Sequence, residues 1–305
     1  MNAKRFEQRV LSVVKRKRLW AAGDVVTLAV SGGVDSMVLL DVLVRTLRSH
    51  KGKLQVVTFN HGFRKESIEE VQFVHQVCLH HRIPCIIHDL HLKKGPNKQE
   101  RARQARRRFL LEQDGVIATA HHGSDQAETV LFRMLRGSGL DGLKGMSVLS
   151  DRWVKPLLME FKDDILNYAN ERGIEWREDQ SNAESTRGII RQFWAQLAMV
   201  HPKPEKTLAN LSRMLSRDAD CLDMQASNAL QNVVNDNQIL LHKLREHHPA
   251  IQVRILRRWL WENNVGASGH QIDLLLDWQP SRNGAFFQLD GSTKIQQITS
   301  RWSLC

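Results

Sequence analysis

The sequence predicts an α/β fold, a doubly wound and mainly parallel sheet, followed by a second, mainly helical domain. Three observations carry this. Short apolar runs rich in β-branched residues alternate with helical patterns between Val25 and Ala120, as expected of successive strand–helix–strand units. The first run, Val25 to Val30, passes through a glycine turn straight into an apolar helix. Past about residue 200 the strand pattern gives way: Pro202 and Pro204 mark a linker, and long amphipathic patterns follow. The expected boundaries are 1–200 for the first domain and 201–305 for the second.

Composition narrows the partners. The 305 residues carry a formal net charge of +11, which favours a polyanion, most commonly nucleic acid. No stretch is apolar enough to span a membrane, and the opening MNAKRFEQRV lacks the apolar core of a signal peptide, so the expected compartment is the cytoplasm. Cys78, Cys85, Cys221 and Cys305 form no CxxC pair; they read as reduced packing thiols rather than zinc or iron–sulfur ligands.

In chain order, residues 4–18 read as a short basic helix. The strand from Val25 ends in Ser31, Gly32 and Gly33, after which Val34, Asp35 and Ser36 open the first apolar helix. Two adjacent glycines let backbone N–H groups close around an anion, and a helix N-terminus adds partial positive charge. A carboxylate at Asp35 repels phosphate unless a divalent cation lies between them, which implies magnesium.

Lys53 to Asn60 reads as the second strand, with His61 and Arg64 as site candidates just past its carboxyl end. Glu66 to His81 is a predicted helix and Cys85 to Leu90 a third strand. Lys93 to Arg108 holds eight Lys and Arg against one Glu, with Arg103, Arg106 and Arg107 close together on a helix, and reads as a phosphate-contacting face. The fourth strand, Val116 to Ala120, delivers His121 and His122. Asp125, Glu128 and Thr129 follow on one face of the next helix, aimed at the crevice of the glycine turn. A zinc site is one reading of these His and acidic residues; magnesium with ATP accounts for the carboxylates more simply. The segment GSGLDGLKGM reads as a mobile loop.

SGGVDS, residues 31–36, resembles the PP-loop of N-type ATP pyrophosphatases and lacks the GK[ST] ending of a Walker loop. Residues 120–146, AHHGSDQAETVLFRMLRGSGLDGLKGM, are similar to the AHHxDDQxET and RGSGxxGLxGM patterns of the tRNA(Ile)-lysidine synthetases. Asn60 to Arg64 resembles that family's NHGLR, Ala102-Arg103 with Arg106 its ARxxRY, and IEWREDQSNAESTRGIIR its WREDxSN and RNxIR. The sequence departs from these patterns at Ser124, Arg107, Gln99 and Gly188, and its link from Asn182 to Arg187 is about two residues short.

The resemblance implies a Rossmann-like PP-loop domain that uses ATP and Mg2+ to adenylate the C2 carbonyl oxygen of the wobble cytidine in tRNA(Ile) with a CAU anticodon. Free L-lysine then displaces AMP to give lysidine. Carried over residue by residue, Ser31, Gly32, Gly33, Val34, Asp35 and Ser36 bind ATP; Asp35, Asp125 and Glu128 are catalytic; Asp35 and Asp125 hold metal. His61, Arg64, Arg103, Arg106, His121, His122, Arg187 and Arg191 face substrate or tRNA. The reading leaves a homodimer open. Its rivals are a tRNA thiolase on the same scaffold and a catalytically silent RNA-binding paralogue.

In the second domain, Thr207 to about Val234 and Pro249 to Glu262 read as helices, and Ser268 as the cap of a third running to about Trp278. The closing GAFFQLDGSTKIQQITSRWSLC alternates around Asp290-Gly291, a hairpin signal. This part resembles the family's helical substrate-binding domain, and longer members carry a further domain beyond it.

Overall fold

β1 (Val25–Ala29) forms the middle of a sheet because its apolar residues are buried on both faces. The computed structural model describes residues 2–60, 65–90, 98–177, 186–280 and 282–305; His61 and Arg64 lie outside them. Around β1 the chain runs through α1 (Ala3–Arg16), α2 (Val34–Arg45), α3 (Leu47–His50), β2 (Lys53–Asn60), α4 (Lys65–His81) and β3 (Cys85–Asp89). It continues as α5 (Lys98–Leu111), β4 (Val116–Ala118), α6 (Gly123–Leu135), α7 (Leu140–Leu143), β5 (Leu149–Ser150) and β6 (Trp153–Val154). α8 (Lys162–Arg172) and α9 (Thr186–Val200) complete this part.

The strand order is β3-β2-β1-β4-β6-β5, parallel throughout except for β5, which pairs antiparallel with β6. Helices cover both faces, and β2 shows why: Val56 belongs to one core with Phe6, Leu28, Leu39 and Tyr168, while its neighbour Val57 belongs to another with Leu110 and Ile117. Successive strand residues point to opposite faces, so a strand apolar at both must be covered twice. Each fully buried Leu or Val contributes about 1.5–3 kcal/mol. The doubly wound, mainly parallel sheet expected from the sequence is present.

The described residues form two compact units, Met1–Arg213 and Met214–Cys305, and α10 (Pro204–Val233) runs across the division. Pro204, read from sequence as part of a linker, opens that helix, where its missing N–H costs nothing.

The second unit adds β7 (Val234–Asn235), β8 (Gln238–Leu240), α11 (Leu241–Arg245), α12 (Pro249–Glu262), α13 (Gly269–Asp277), β9 (Phe286–Gln288), β10 (Lys294–Ile298) and β11 (Arg301–Leu304). Ser268 caps α13 through a reciprocal bond with Gln271, and β9 and β10 form a hairpin whose turn is tied by Asp290 Oδ1 to the Ser292 and Thr293 amides. The strands make a five-stranded antiparallel sheet, β7-β8-β11-β10-β9, which periodicity reveals only at the hairpin. Its other strands are too short, two to four residues, to show an alternation. Trp259, Ile255, Leu260, Ile295 and Trp302 fill the core between helices and sheet.

Gly115 joins α5 to β4 at φ +72°, and a Cβ there would lie 2.0 Å from the Val25 carbonyl oxygen. Gly115→Ala is therefore expected to cost about 3 kcal/mol or more, read as a lowered urea midpoint. An unchanged midpoint would show that β1 and β4 can separate at this end without loss.

Candidate active site

The order of the sheet locates the site. From β1 the chain builds β2 and β3 outward on one side, then returns to place β4 on the other, so the carboxyl ends of β1 and β4 flank the point where the winding reverses. Ligands of open α/β sheets bind in the crevice this leaves.

The turn after β1 is shaped by Gly32, whose φ of +82° is costly for a residue with a Cβ. Ser36 Oγ donates to the Gly33 carbonyl (2.8 Å) and accepts from the Ser31 amide (3.2 Å), closing the loop onto the first turn of α2. Gly32 O accepts from the Arg177 amide (3.0 Å), so the chain leaving α8 passes over the same turn.

Asp35 sits in that first turn, where negative charge suits the helix dipole. Across from it stands His122, the N-cap of α6. Its Nδ1 accepts from the Asp125 amide (3.4 Å), while Asp125 Oδ2 accepts from the His122 amide (3.0 Å). With Nδ1 an acceptor, the neutral ring carries its proton on Nε2. That Nε2 lies 3.6 Å from both Asp35 Oδ1 and Asp125 Oδ2, longer than a hydrogen bond, so the ring edge stands between two carboxylates.

The third member is Lys162, the first residue of α8, with Nζ 2.6 Å from Asp35 Oδ1. Burial alone would raise the Asp35 pKa; the interactions with His122, and then with Lys162, together outweigh it and hold the carboxyl below its ordinary value. Lys162 reaches this point because the starts of α6 and α8 are pressed together: the Gly123 amide donates to Glu160 O (2.6 Å), and a Cβ on Gly123 would come within 2.9 Å of that oxygen. Glu160 is itself fixed by the Arg9 guanidinium, whose Nε lies 3.0 and 3.1 Å from its two carboxylate oxygens.

The sequence reading did not include Lys162. A single lysine at a helix start has no spacing signature, and only the packing of α8 on α2 and α1 delivers it to Asp35. Ser124, where the family pattern has an acid, is buried, and its hydroxyl accepts from the Lys162 amide (3.4 Å). Glu128 is buried on α6, whereas the Thr129 hydroxyl turns back to its own helix at Asp125 O (2.8 Å). His121 Nδ1 lies 2.9 Å from Thr119 Oγ1.

The glycine-rich segment after α6 differs from the mobile loop expected. It contains α7, and Gln126 holds its end: Oε1 accepts from the Met146 amide (2.7 Å) and Nε2 donates to Met146 O (3.0 Å) and Ser212 Oγ (2.7 Å). The arginines of α5 form a separate group. Arg103 grips Glu100 through two bonds (2.8 and 2.9 Å), Arg106 is half-buried, and Arg107 lies over the Trp153 ring at 5.3 Å. Arg187 and Arg191 fall in α9, and their side chains lie outside the described residues.

Among the described residues no group of three or more His, Cys, Asp or Glu could hold a metal ion. The oxygen donors of Asp35 and Asp125, either side of His122 Nε2, suit instead a hard ion that takes one or two carboxylates and completes its shell with phosphate oxygens and water, the habit of magnesium.

Residues 2–197 match the family model described as the PP-loop domain, over most of the first unit. The chain belongs to the PP-loop domain family. It is 30% identical over 298 residues to the tRNA(Ile)-lysidine synthase of Bacillus subtilis, covering 88% of this chain and 62% of that protein. It is 33% identical over 248 residues to that of Nitrosomonas europaea, covering 77% and 54%. The chain thus spans less than two thirds of the length of these relatives. Among solved structures, a U34-tRNA thiolase from Methanococcus maripaludis, described with its [4Fe-4S] cluster, aligns with a TM-score of 0.57 at 18% identity, covering 70% of this chain and 79% of that one, a likeness of fold.

The depressed pKa of Asp35 has a measurable consequence. Its ionised form contributes stability that is complete above the ordinary aspartate pKa, about 3.9, and is lost as the pH falls through the lower folded value. Wild type should lose stability relative to Asp35→Asn as urea denaturation is followed from pH 6 down to 3. Parallel pH profiles would show that His122 and Lys162 do not stabilise the charge.

Proposed function

We propose that this chain is a tRNA-modifying ligase that forms lysidine at the wobble cytidine of tRNA(Ile) with a CAU anticodon, using ATP, magnesium and free L-lysine. The observation that carries the reading is the cluster of Asp35, His122 and Asp125 beside the Gly32 turn at the reversal of the sheet. The names of the relatives support the choice of substrate. This reading places the activity in the cytoplasm, where tRNA, ATP and lysine meet. No helix among the described residues is long and apolar enough to cross a membrane.

A cytosine C2 carbonyl is a poor electrophile, and attack of its oxygen on the α-phosphorus of ATP, with departure of pyrophosphate, turns that oxygen into a leaving group. The lysine ε-amine then attacks C2, and AMP departs with the C–O bond. The loop from Ser31 to Ser36, its Ser31 amide engaged by Ser36 Oγ, would cradle phosphate through its remaining backbone amides, and Asp35 and Asp125 would hold the magnesium ion. When bound, the ion neutralises phosphate charge and polarises the reacting phosphoryl group. His122 keeps its Nε2 proton directed between Asp35 and Asp125. Glu128 receives the lysine ammonium and takes the proton that frees its lone pair. His121, with Arg103, Arg106, Arg187, Arg191, His61 and Arg64, belongs to the tRNA side of the site in this reading.

The thiolase alternative places its demands on cysteine. Cys78 is buried in α4, Cys85 opens β3, Cys221 is exposed on α10 and Cys305 is exposed at the end of the second unit's sheet. In the first unit neither Cys78 nor Cys85 is a partner of Asp35, His122, Asp125 or Lys162, and the structural likeness to a thiolase is one of fold.

Incubating the protein with tRNA, ATP and lysine, followed by mass spectrometry of the wobble nucleoside, tests the reaction directly. Asp35→Asn should lower AMP formation by about two orders of magnitude while the chain remains folded. Turnover near that of wild type at saturating magnesium would overturn the site. Arg107 and Arg108 are exposed on α5, and changing both to Gln should flatten the slope of log tRNA affinity against log salt by about one to two units. An unaltered slope would place the phosphate contacts elsewhere.

A further inference from the structure

The geometry points to Lys162 as an exchangeable counter-ion: its ammonium neutralises Asp35 in the absence of nucleotide and passes to the nucleotide phosphates when a divalent cation takes the carboxylate. This rests on the reading of the crevice as an ATP site and adds to it a residue and a sequence of charges.

Lys162 Nζ approaches Asp35 Oδ1 to 2.6 Å, a full ångström closer than His122 Nε2 to the same oxygen. It therefore stands where a hard cation on that oxygen would stand. The pair is open to water, with 38% of the lysine side chain and 33% of the aspartate side chain exposed. The neighbouring Arg9–Glu160 pair has its carboxylate only 4% exposed. A partly solvated ion pair is weakly held and can be replaced, whereas a buried one cannot give up a partner without leaving a charge unpaired.

The backbone beneath Lys162 is fixed while its side chain is not. The Gly123 amide on Glu160 O and the Lys162 amide on Ser124 Oγ set where α8 begins. Four methylenes beyond that anchor carry the ammonium, so it can change partner without moving the helix. The partial burial of Asp35 disfavours its bare charge, so loss of Lys162 is matched by the arrival of another cation.

A divalent cation and an ammonium on one carboxylate oxygen repel each other. Arrival of the metal with ATP therefore expels Lys162 from Asp35, and the nearest new anion is the phosphate chain in the Gly32 turn, which a lysine binds as a point charge. Asp35 keeps a cation before and after, and the phosphates gain one.

The exchange predicts effects of opposite sign. Lys162→Met should bind Mn2+ alone, measured by the EPR signal of the free ion, about three- to tenfold more tightly than wild type, because its competitor is gone. The same variant should bind ATP in EDTA about tenfold more weakly, having lost a phosphate partner. Lys162→Arg should restore both values to within about threefold of wild type, since the charge returns. Adding Asp35→Asn to Lys162→Met should abolish the gain in Mn2+ affinity. Circular dichroism melts confirm that each variant is folded, and Lys162→Gln serves as a second neutral variant. Unchanged or weaker Mn2+ binding by both neutral variants overturns the proposal, as does unchanged metal-free ATP binding. Wild type that binds no ATP, with or without Mn2+, would instead remove the nucleotide reading itself, and this assignment with it.

Discussion

Asp35 is an anion set where burial disfavours it, and most of the first unit's special features can be understood as answering that charge. Its place in the first turn of α2 provides the helix dipole. His122 supplies an N–H, held on the correct nitrogen by the cap it forms on α6, and Lys162 supplies a full positive charge. These three groups come from the ends of β1, β4 and β6 and meet only because the parallel sheet brings those ends side by side.

Around this cluster several buried polar groups are fixed in pairs. Arg9 on α1 clamps Glu160 just before α8, and the Tyr168 hydroxyl lies 2.7 Å from Asp41 Oδ2 and 3.0 Å from Glu7 Oε1, tying α8 to α2 and α1. Burial, then Asp41, pushes the Tyr168 phenol well above its usual range, so it remains a hydrogen-bond donor at every working pH. Gln126 does for the glycine-rich segment what Arg9 does for α8. Removing one member of such a set would leave its partner buried and unsatisfied, at about 1–3 kcal/mol each, which gives the crevice walls their rigidity.

The second unit is organised by different physics. Its core is a meeting of Trp259, Trp302 and aliphatic side chains between helices and an antiparallel sheet, with each indole N–H satisfied, Trp259 on Asn237 O and Trp302 on Gln297 Oε1. α12 leaves Trp261 exposed near Arg257 and Arg258, on a chain whose overall charge suits a polyanion.

What the sequence alone determined was everything written in local pattern. The strands Val25–Ala29 and Lys53–Asn60, the helix Pro249–Glu262, the Ser268 cap and the Asp290 hairpin follow from periodicity and turn chemistry, and the PP-loop is legible because SGGVDS is contiguous. Asp35, His122 and Asp125 were legible too, since each lies within two contiguous motifs at strand ends. The tertiary structure alone decided the approach of Lys162 to Asp35, the inward turn of the Ser124 hydroxyl toward α8 and the Gln126 tether. It also decided the five-stranded sheet of the second unit. The reason is range: a cap or a phosphate turn is set by neighbours a few residues apart, whereas Lys162 and Asp35 are separated by 127 positions and meet only where α8 packs against α2. No periodicity encodes that approach; it is set by the shape of the packed core.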